Sequence, residues 1–454
     1  MTPRHIVIVT VGPRGDVHPY CLLGQALAAQ GHTVTIATEK RLESLVSTEF
    51  KLPFRCIAGD VCGGLFDPDF QHRFRVARAL KCLEMLTQWN ERFDQAEILA
   101  SYEKALADAD LIVCGALSVA QSYSIAEKHR ATWVPLFLGN CLLPTSAFPH
   151  WILAGVPFSY FCSNKWSHTI VATKVWLQQR HRINRWRASK LKLPPITSPL
   201  GILDVMVENP TITVYQACSL LCCGPKRQVP ADYTPGKVVY GGFVLPDAQS
   251  NRGSPVLQRF LKTSTLPLIY MGFGGMPTRD PLGLLQLAVK VSAKAKCQCV
   301  VVASWAADMP PECDAFLSLH QDTLCVQSTA PHAWLFPQMR CIVHHAGFLT
   351  TATALRSGVP QIPCPVVMDQ FHHANEMVAL GVAPAVVGKG ALTSTNVASL
   401  VKRVLGNAGH IQTKAKELGA FVASESHGAV AAFCHMILST PPTFATRDDA
   451  TGIQ

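Results

Sequence analysis

The chain is short of charge. Only 15% of its 454 residues are Asp, Glu, Lys or Arg, against 48% hydrophobic, and that balance excludes wholesale disorder. Long apolar runs are also missing. No uninterrupted stretch approaches the roughly 20 residues a spanning helix needs. A strand-like segment at 5–11 begins almost at Met1 without a secretory-signal layout, so a soluble, cytoplasmic protein is expected. The 17 Cys residues form no paired framework, and Cys222-Cys223 are adjacent, which fits reduced thiols better than disulfides. Cys162, Cys297 and Cys299 lack zinc-ligand spacing.

Acid is absent from one stretch in particular. Between Lys165 and Lys192 there are eight basic residues and no acidic one, interleaved with Trp166, Trp176 and Trp186, in a chain of formal net charge +10. Two readings stand: a wet helix whose Trp residues face the core, or a basic aromatic face for peripheral contact with a membrane surface. No nucleic-acid module is recognisable, so nucleic acid is not an expected partner.

A chain of this length exceeds one ordinary core, and about 150 residues per domain suggests two or three; two is the reading adopted. Strand and helix alternate as 5–11, 19–30 and 33–38, then 111–114, 120–129 and 133–138, the rhythm of a parallel doubly wound sheet. Pro194, Pro195 and Pro199 interrupt it. Residues 246–267 turn polar and suit a hinge. Strand and helix then alternate again from 266 to 363, a second sheet of the same kind. The expected organisation is a first Rossmann-like domain at 1–245, a linker at 246–265, a second Rossmann-like domain at 266–424, a C-terminal helix at 425–440 and a loose tail at 441–454. Open parallel sheets bind ligands at the carboxyl ends of their strands.

Three motifs fall at such ends. Residues 344–370 read HHAGFLTTATALRSGVPQIPCPVVMDQ. A His pair ends an apolar run, a small-residue turn follows, Thr350 and Thr351 open a helix, and Asp369-Gln370 closes the next strand. A helix N-terminus offers unpaired N–H groups and a positive dipole end to phosphate, while Asp369 and Gln370 suit sugar hydroxyls. Adjacent His residues at a strand end also serve as packing and capping groups. Gly272-Phe273-Gly274-Gly275 lets backbone N–H groups approach phosphate, or forms a plain turn. Residues 12–20, GPRGDVHPY, place Asp16 either as a general base or as a helix cap. The dinucleotide fingerprint is incomplete there.

The 344–370 segment resembles the donor-binding signature of inverting, nucleotide-sugar-dependent glycosyltransferases, in their sterol and bacterial-macrolide branch. The likeness extends through 330–337 (APHAWLFP), 380–384 (LGVAP) and the Arg-Gly-Asp-Val sequence at 14–17, spanning nearly the whole chain. It implies an α/β fold of two Rossmann-like domains facing across a cleft, the GT-B architecture, with acceptor bound by the first, donor mainly by the second, and a final helix crossing back. It implies Asp16 as base, Arg14 and Gly15 on the acceptor turn, and donor contacts from Gly272, Gly274, Gly275, His332, His345, Gly347, Thr350, Thr351, Asp369 and Gln370. His18, where relatives usually carry Gln, is a second base, a proton acceptor for Asp16, or a helix-start residue. Ala346, Phe348 and Leu349 stand where relatives have small residues, and Gly275 where they have Ser.

The expected function is hexosyl transfer, glucose from UDP-glucose first and a thymidine diphosphate sugar second, to a hydroxyl of a lipophilic acceptor such as a sterol, terpenoid or polyketide. Phe66, Phe70, Phe148, Trp151, Phe158 and Tyr160 either wall the acceptor site or belong to the core. No cofactor and no metal is expected, since no Asp-x-Asp motif stands at a strand end in the second half. The alternatives are a non-catalytic nucleotide-sugar or lipid-binding protein on the same scaffold, or a C- or N-linking transferase.

Overall fold

The computed structural model describes residues 2–76, 79–139, 142–153, 163–247, 252–274, 280–406 and 409–444. Its strands form two parallel sheets. In the first, β1 (His5–Val9), β2 (Thr33–Glu39), β3 (Phe54–Ile57), β4 (Leu111–Cys114), β5 (Thr132–Phe137), β6 (Val214–Gln216) and β7 (Val238–Tyr240) lie in the order β3-β2-β1-β4-β5-β6-β7. In the second, β8 (Leu268–Gly272), β9 (Gln298–Val302), β10 (Leu324–Gln327), β11 (Cys341–His344) and β12 (Gln361–Pro363) lie in the order β10-β9-β8-β11-β12. Helices cover both faces of a parallel sheet, which is why Leu111, Ile112, Val113 and Cys114 of β4 are all fully buried rather than alternating. Strand order reverses between β1 and β4 and between β8 and β11, and a crevice for ligand opens at such switch points.

The described residues divide into two compact units, one within 1–64, 77–244 and 425–454, the other within 65–76 and 245–424. Three features differ from the sequence expectation. The first helix runs Arg14–Ala29 and starts five residues before the expected position. Pro19 therefore lies inside it. Burial of Val17, Tyr20, Leu23 and Leu27 at helical spacing offsets the hydrogen bond that proline removes. The 246–265 stretch, read as a linker, is part of the second unit where described: Leu257 of the Pro255–Thr263 helix packs with Tyr270, Val300 and Phe336, and Arg356 Nη2 donates to the Pro246 carbonyl at 2.8 Å. Its polar composition reflects the wet face of a one-sided helix. The tail expected to be loose from 441 is docked at Thr443, whose hydroxyl accepts from the Trp133 N–H at 2.8 Å; residues 445–454 lie outside the described ones.

The Ala429–Ser439 helix packs in the first unit, placing Phe433, Cys434, Ile437 and Leu438 in one core with Val17, Tyr20 and Leu23. Among the described residues no single helix is long and apolar enough to cross a membrane.

Candidate active site

At the switch point of the second sheet, glycine makes room for histidine. Gly274 follows β8 with φ +69°, and a Cβ there would lie 2.7 Å from His345 Cε1. A Cβ at Gly347 would overlap His345 Nε2, so the imidazole sits against bare backbone at both positions. At Gly272 the space a side chain would need is filled by the Tyr270 hydroxyl, which is 3.0 Å from His332 Nε2. Gly347 is the N-cap of the Phe348–Arg356 helix and supplies no capping side chain. The helix start has no side-chain cap, and its dipole favours an anion there. Gly275 lies outside the described residues.

The two histidines divide the work. His344 is fully buried; its Nε2 bonds the Gln361 side-chain oxygen at 2.9 Å and its Nδ1 accepts from the Ala346 N–H at 3.1 Å, which fixes the Nε2-protonated tautomer. Burial and the neighbouring His345 lower its pKa to about 3. His345 is lowered to about 4 by burial, against the opposing pull of the Asp369 carboxylate and the Gly272 carbonyl. It is neutral at pH 7, and its Nδ1 is buried without a well-formed hydrogen bond. Thr351 Oγ1 is a buried oxygen without a hydrogen-bond partner, and Thr350 is half-buried one residue earlier. Orphaned polar atoms are rare in protein interiors, and one at a helix start suits a polar ligand.

Asp369 opens the Gln370–Ala379 helix, with His373 Nε2 at 3.3 Å one turn on. Crowding by protein atoms raises the Asp369 carboxyl, but the hydrogen bond and charge of His373, with His372 behind it, more than reverse this and hold it below the ordinary carboxylate value. Ala346 (φ +62°) and Met368 (φ +50°) take left-handed conformations that non-glycine residues avoid, one just after His345 and one just before Asp369. The structure thus gathers Gly272, Gly274, His345, Gly347, Thr351 and Asp369 into one site. Phe348 forms part of its wall, with its ring 5.8 Å from that of His373.

Two donor candidates have structural work instead. The Gln370 side-chain oxygen accepts from the N–H groups of Val366 at 2.9 Å and Val367 at 3.1 Å, which ties it to the loop before its own helix. His332 stacks on Phe336 at 4.6 Å, and burial followed by the neighbouring His345 lowers its pKa to about 4. It supports the Tyr270 hydroxyl.

At the β1/β4 switch point the expected turn is already helix. Asp16 is the third residue of the Arg14–Ala29 helix and Pro13 holds the N-cap position, so Asp16 is not the cap, although its charge suits that helix end. Its carboxylate lies over Gly12, where a Cβ would be 2.9 Å from Oδ2. Gly12, with φ +142°, is the residue that needs freedom; Gly15 is helical. Arg14 reaches away to form a bidentate pair with Glu49 at 2.8 and 2.6 Å. His18 is about 200° round the helix from Asp16. Its ring stands edge-on to Phe50 at 4.9 Å, and burial, then Arg14, lower its pKa to about 4 against the charge of Glu49. That is a packing position, turned away from Asp16.

Of the suggested acceptor walls, Phe70 is buried and stacked on Phe74 in the second unit, and Phe148 is buried against His168 and Gly224. Both are core. Phe66 is 43% exposed, Trp151 is half-buried beside His150, and Phe158 and Tyr160 lie outside the described residues. Among the described residues no group of three or more His, Cys, Asp or Glu is arranged to hold a metal ion.

Residues 6–130 match the glycosyltransferase family 28 N-terminal domain, and residues 317–432 match the erythromycin biosynthesis protein CIII-like, C-terminal domain. Both halves of the chain thus resemble glycosyltransferase domains. The sterol 3-beta-glucosyltransferase of Komagataella phaffii is 28% identical over 94% of this chain and 34% of its own length. The chain spans about a third of the curated relatives it matches. Among solved structures, the glycotransferase of kitacinnamycin aligns with a TM-score of 0.65 at 16% identity, covering 97% of this chain and 100% of that one. The Streptomyces sp. SF2575 glycosyltransferase SsfS6, complexed with thymidine diphosphate, aligns at 0.57 and 17% identity over 95% of this chain and 99% of that one. These likenesses place the fold among the GT-B glycosyltransferases.

Tyr270, His373, Glu39 and Arg41 were not singled out from the sequence. Asp369-x-x-x-His373 carried a signal, since four residues is one helical turn. The other three become visible only when separate strands meet.

Proposed function

We propose that this glycosyltransferase moves a hexosyl group, glucose from UDP-glucose first among donors, to a hydroxyl of a lipophilic acceptor of the sterol or polyketide kind, with inversion. The acceptor oxygen attacks the anomeric carbon as the bond to the diphosphate breaks. The proton passes to Asp16 and the nucleoside diphosphate leaves with the bonding electrons. The cradle of His345 between Gly274 and Gly347, at an uncapped helix start with Asp369 close by, carries the reading. Helix dipole, backbone N–H groups and the neutral imidazole meet the diphosphate, so no divalent cation is required. The test is product mass spectrometry with an aglycone panel and UDP- or thymidine diphosphate sugars. Asp16→Ala should abolish transfer while calorimetry still shows UDP binding. Donor binding without turnover on any acceptor would leave a non-catalytic binding protein instead.

We also propose that the chain works in the cytoplasm against an anionic phospholipid surface, through the Asn164–Trp186 helix. The basic stretch separates into two roles. Trp176, Trp186 and Arg187 are buried, Arg187 paired with Glu127 at 2.8 Å. Trp166 and Leu177, 61% and 60% exposed, share a face with half-buried Ile170 beside Lys174, Arg180 and Arg185. Exposed apolar side chains flanked by cations suit a lipid headgroup layer. Flotation with phosphatidylserine vesicles should be weakened by Trp166→Ser with Leu177→Ser and by salt. Binding unchanged by both would remove this reading.

A further inference from the structure

Beneath Asp16 lies a charged assembly that the reaction scheme does not use. Glu39 ends β2 with no solvent exposure, and its carboxylate accepts from the Val61 N–H at 2.5 Å and from the Gly12 N–H. Arg41 Nη2 donates to Glu39 Oε2 at 3.1 Å and to the Gly12 carbonyl at 3.2 Å, while its Nε donates to Asp60 Oδ1 at 3.2 Å. Both polar groups of Gly12 are therefore held by side chains from the neighbouring strand end. Gly12 is also the residue over which the Asp16 carboxylate closes.

We propose that Glu39 and Arg41, backed by Asp60, are positioning residues that fix the Gly12 backbone so that the Asp16 carboxylate is held in one place for proton transfer. This inference rests on Asp16 being the base. A buried carboxylate is a costly way to hold a turn that neutral groups could hold, since removing the charge from water is expensive unless every lone pair is met. Here the lone pairs are met by the Val61 and Gly12 N–H groups and by Arg41, which also holds the Gly12 carbonyl. A general base misplaced by about 1 Å can cost on the order of 100-fold in rate, so rigid placement has a kinetic return.

The arrangement is also sensitive to pH. Burial, followed by the charge of Asp60, raises the Glu39 carboxyl to about 7 against the pull of Val61, Arg41 and Gly12. The ionisable groups facing it are Arg41, Asp60, Cys62 and Tyr102, and Cys62 also feels Asp16. Protonation of Glu39 weakens the hydrogen bonds it accepts from Gly12 and Arg41, so the tight grip on the turn belongs to the ionised form and loosens as pH falls through about 7.

The experiment compares Glu39→Gln, Arg41→Lys and Asp60→Asn in the full chain. Glu39→Gln should lower kcat by about 10-fold or more while UDP affinity stays within about twofold. It should also flatten the acidic limb of the pH–rate profile. Arg41→Lys keeps the charge and should retain more activity than Glu39→Gln. In a crystal structure of Glu39→Gln the Gly12 carbonyl and Asp16 carboxylate should shift, a readout independent of turnover. A folded Glu39→Gln with unchanged kcat, pH profile and Gly12 geometry overturns the proposal. If that variant does not fold, wild-type kcat in both Arg41→Lys and Asp60→Asn overturns it. Full transfer by Asp16→Ala would instead sink the base assignment. Loss in Asp16→Ala with none in the folded positioning variants sinks this inference alone.

Discussion

At the scale of residues, the candidate donor site is built from neutral imidazoles and strained backbone. His345 sits at about 4 because burial disfavours its cation. A bound diphosphate brings negative charge to the same ring and must raise that value, by linkage. NMR titration of His345 with and without UDP should show the pKa moving up; an unchanged value would place the phosphates elsewhere. Gly274→Ala should lose donor affinity by about 10-fold or more with the fold retained, read by calorimetry, because a Cβ at φ +69° meets the His345 ring as well as backbone strain. Ala346 poses the opposite question. At φ +62° an L-residue is strained by roughly 1–2 kcal/mol. Replacing it by glycine forfeits about 0.8 kcal/mol of methyl burial and adds about 0.5–1 kcal/mol of unfolded-chain entropy. Ala346→Gly is therefore expected to leave stability within about 1 kcal/mol in a denaturant melt. A β-branched valine there should destabilise clearly.

At the scale of elements, the loops carrying Gly12, Gly274 and His345 follow strands beside a reversal of strand order, and two helix starts carry candidate site residues. The Phe348–Arg356 helix starts without a side-chain cap, and the Arg14–Ala29 helix carries Asp16 in its first turn. The Ala429–Ser439 helix has no such role, yet Phe433 is fully buried, and a side chain at Gly241 would lie 2.5 Å from its Cζ. Phe433→Ala should cost about 3–5 kcal/mol in the first unit, measured by denaturant unfolding. A loss under 1 kcal/mol would mean that this helix contributes little to that core.

At the scale of the whole molecule, the first unit is closed by residues far along the chain. Removing 425–444 should leave its core open at Tyr20 and Leu23 and abolish cooperative melting of that unit, which calorimetry would register as a missing transition. The sequence by itself determined the class of fold, because two rounds of strand and helix alternation with apolar strands admit little besides paired parallel sheets. It also put His345 after a strand and Thr351 at a helix start, which is where the structure has them, since that motif is local. Tertiary structure alone decided the rest. His18 and Gln370 look like ligand groups in sequence, but helix phase turns one toward Phe50 and a nearby loop claims the oxygen of the other. Residues 65–76 join the second unit, the 246–265 stretch belongs to it where described, and Glu39 with Arg41 grips Gly12. None of these is visible along the chain. Each depends on which strands become neighbours, and that is settled by burial across the whole core rather than by local residue pattern.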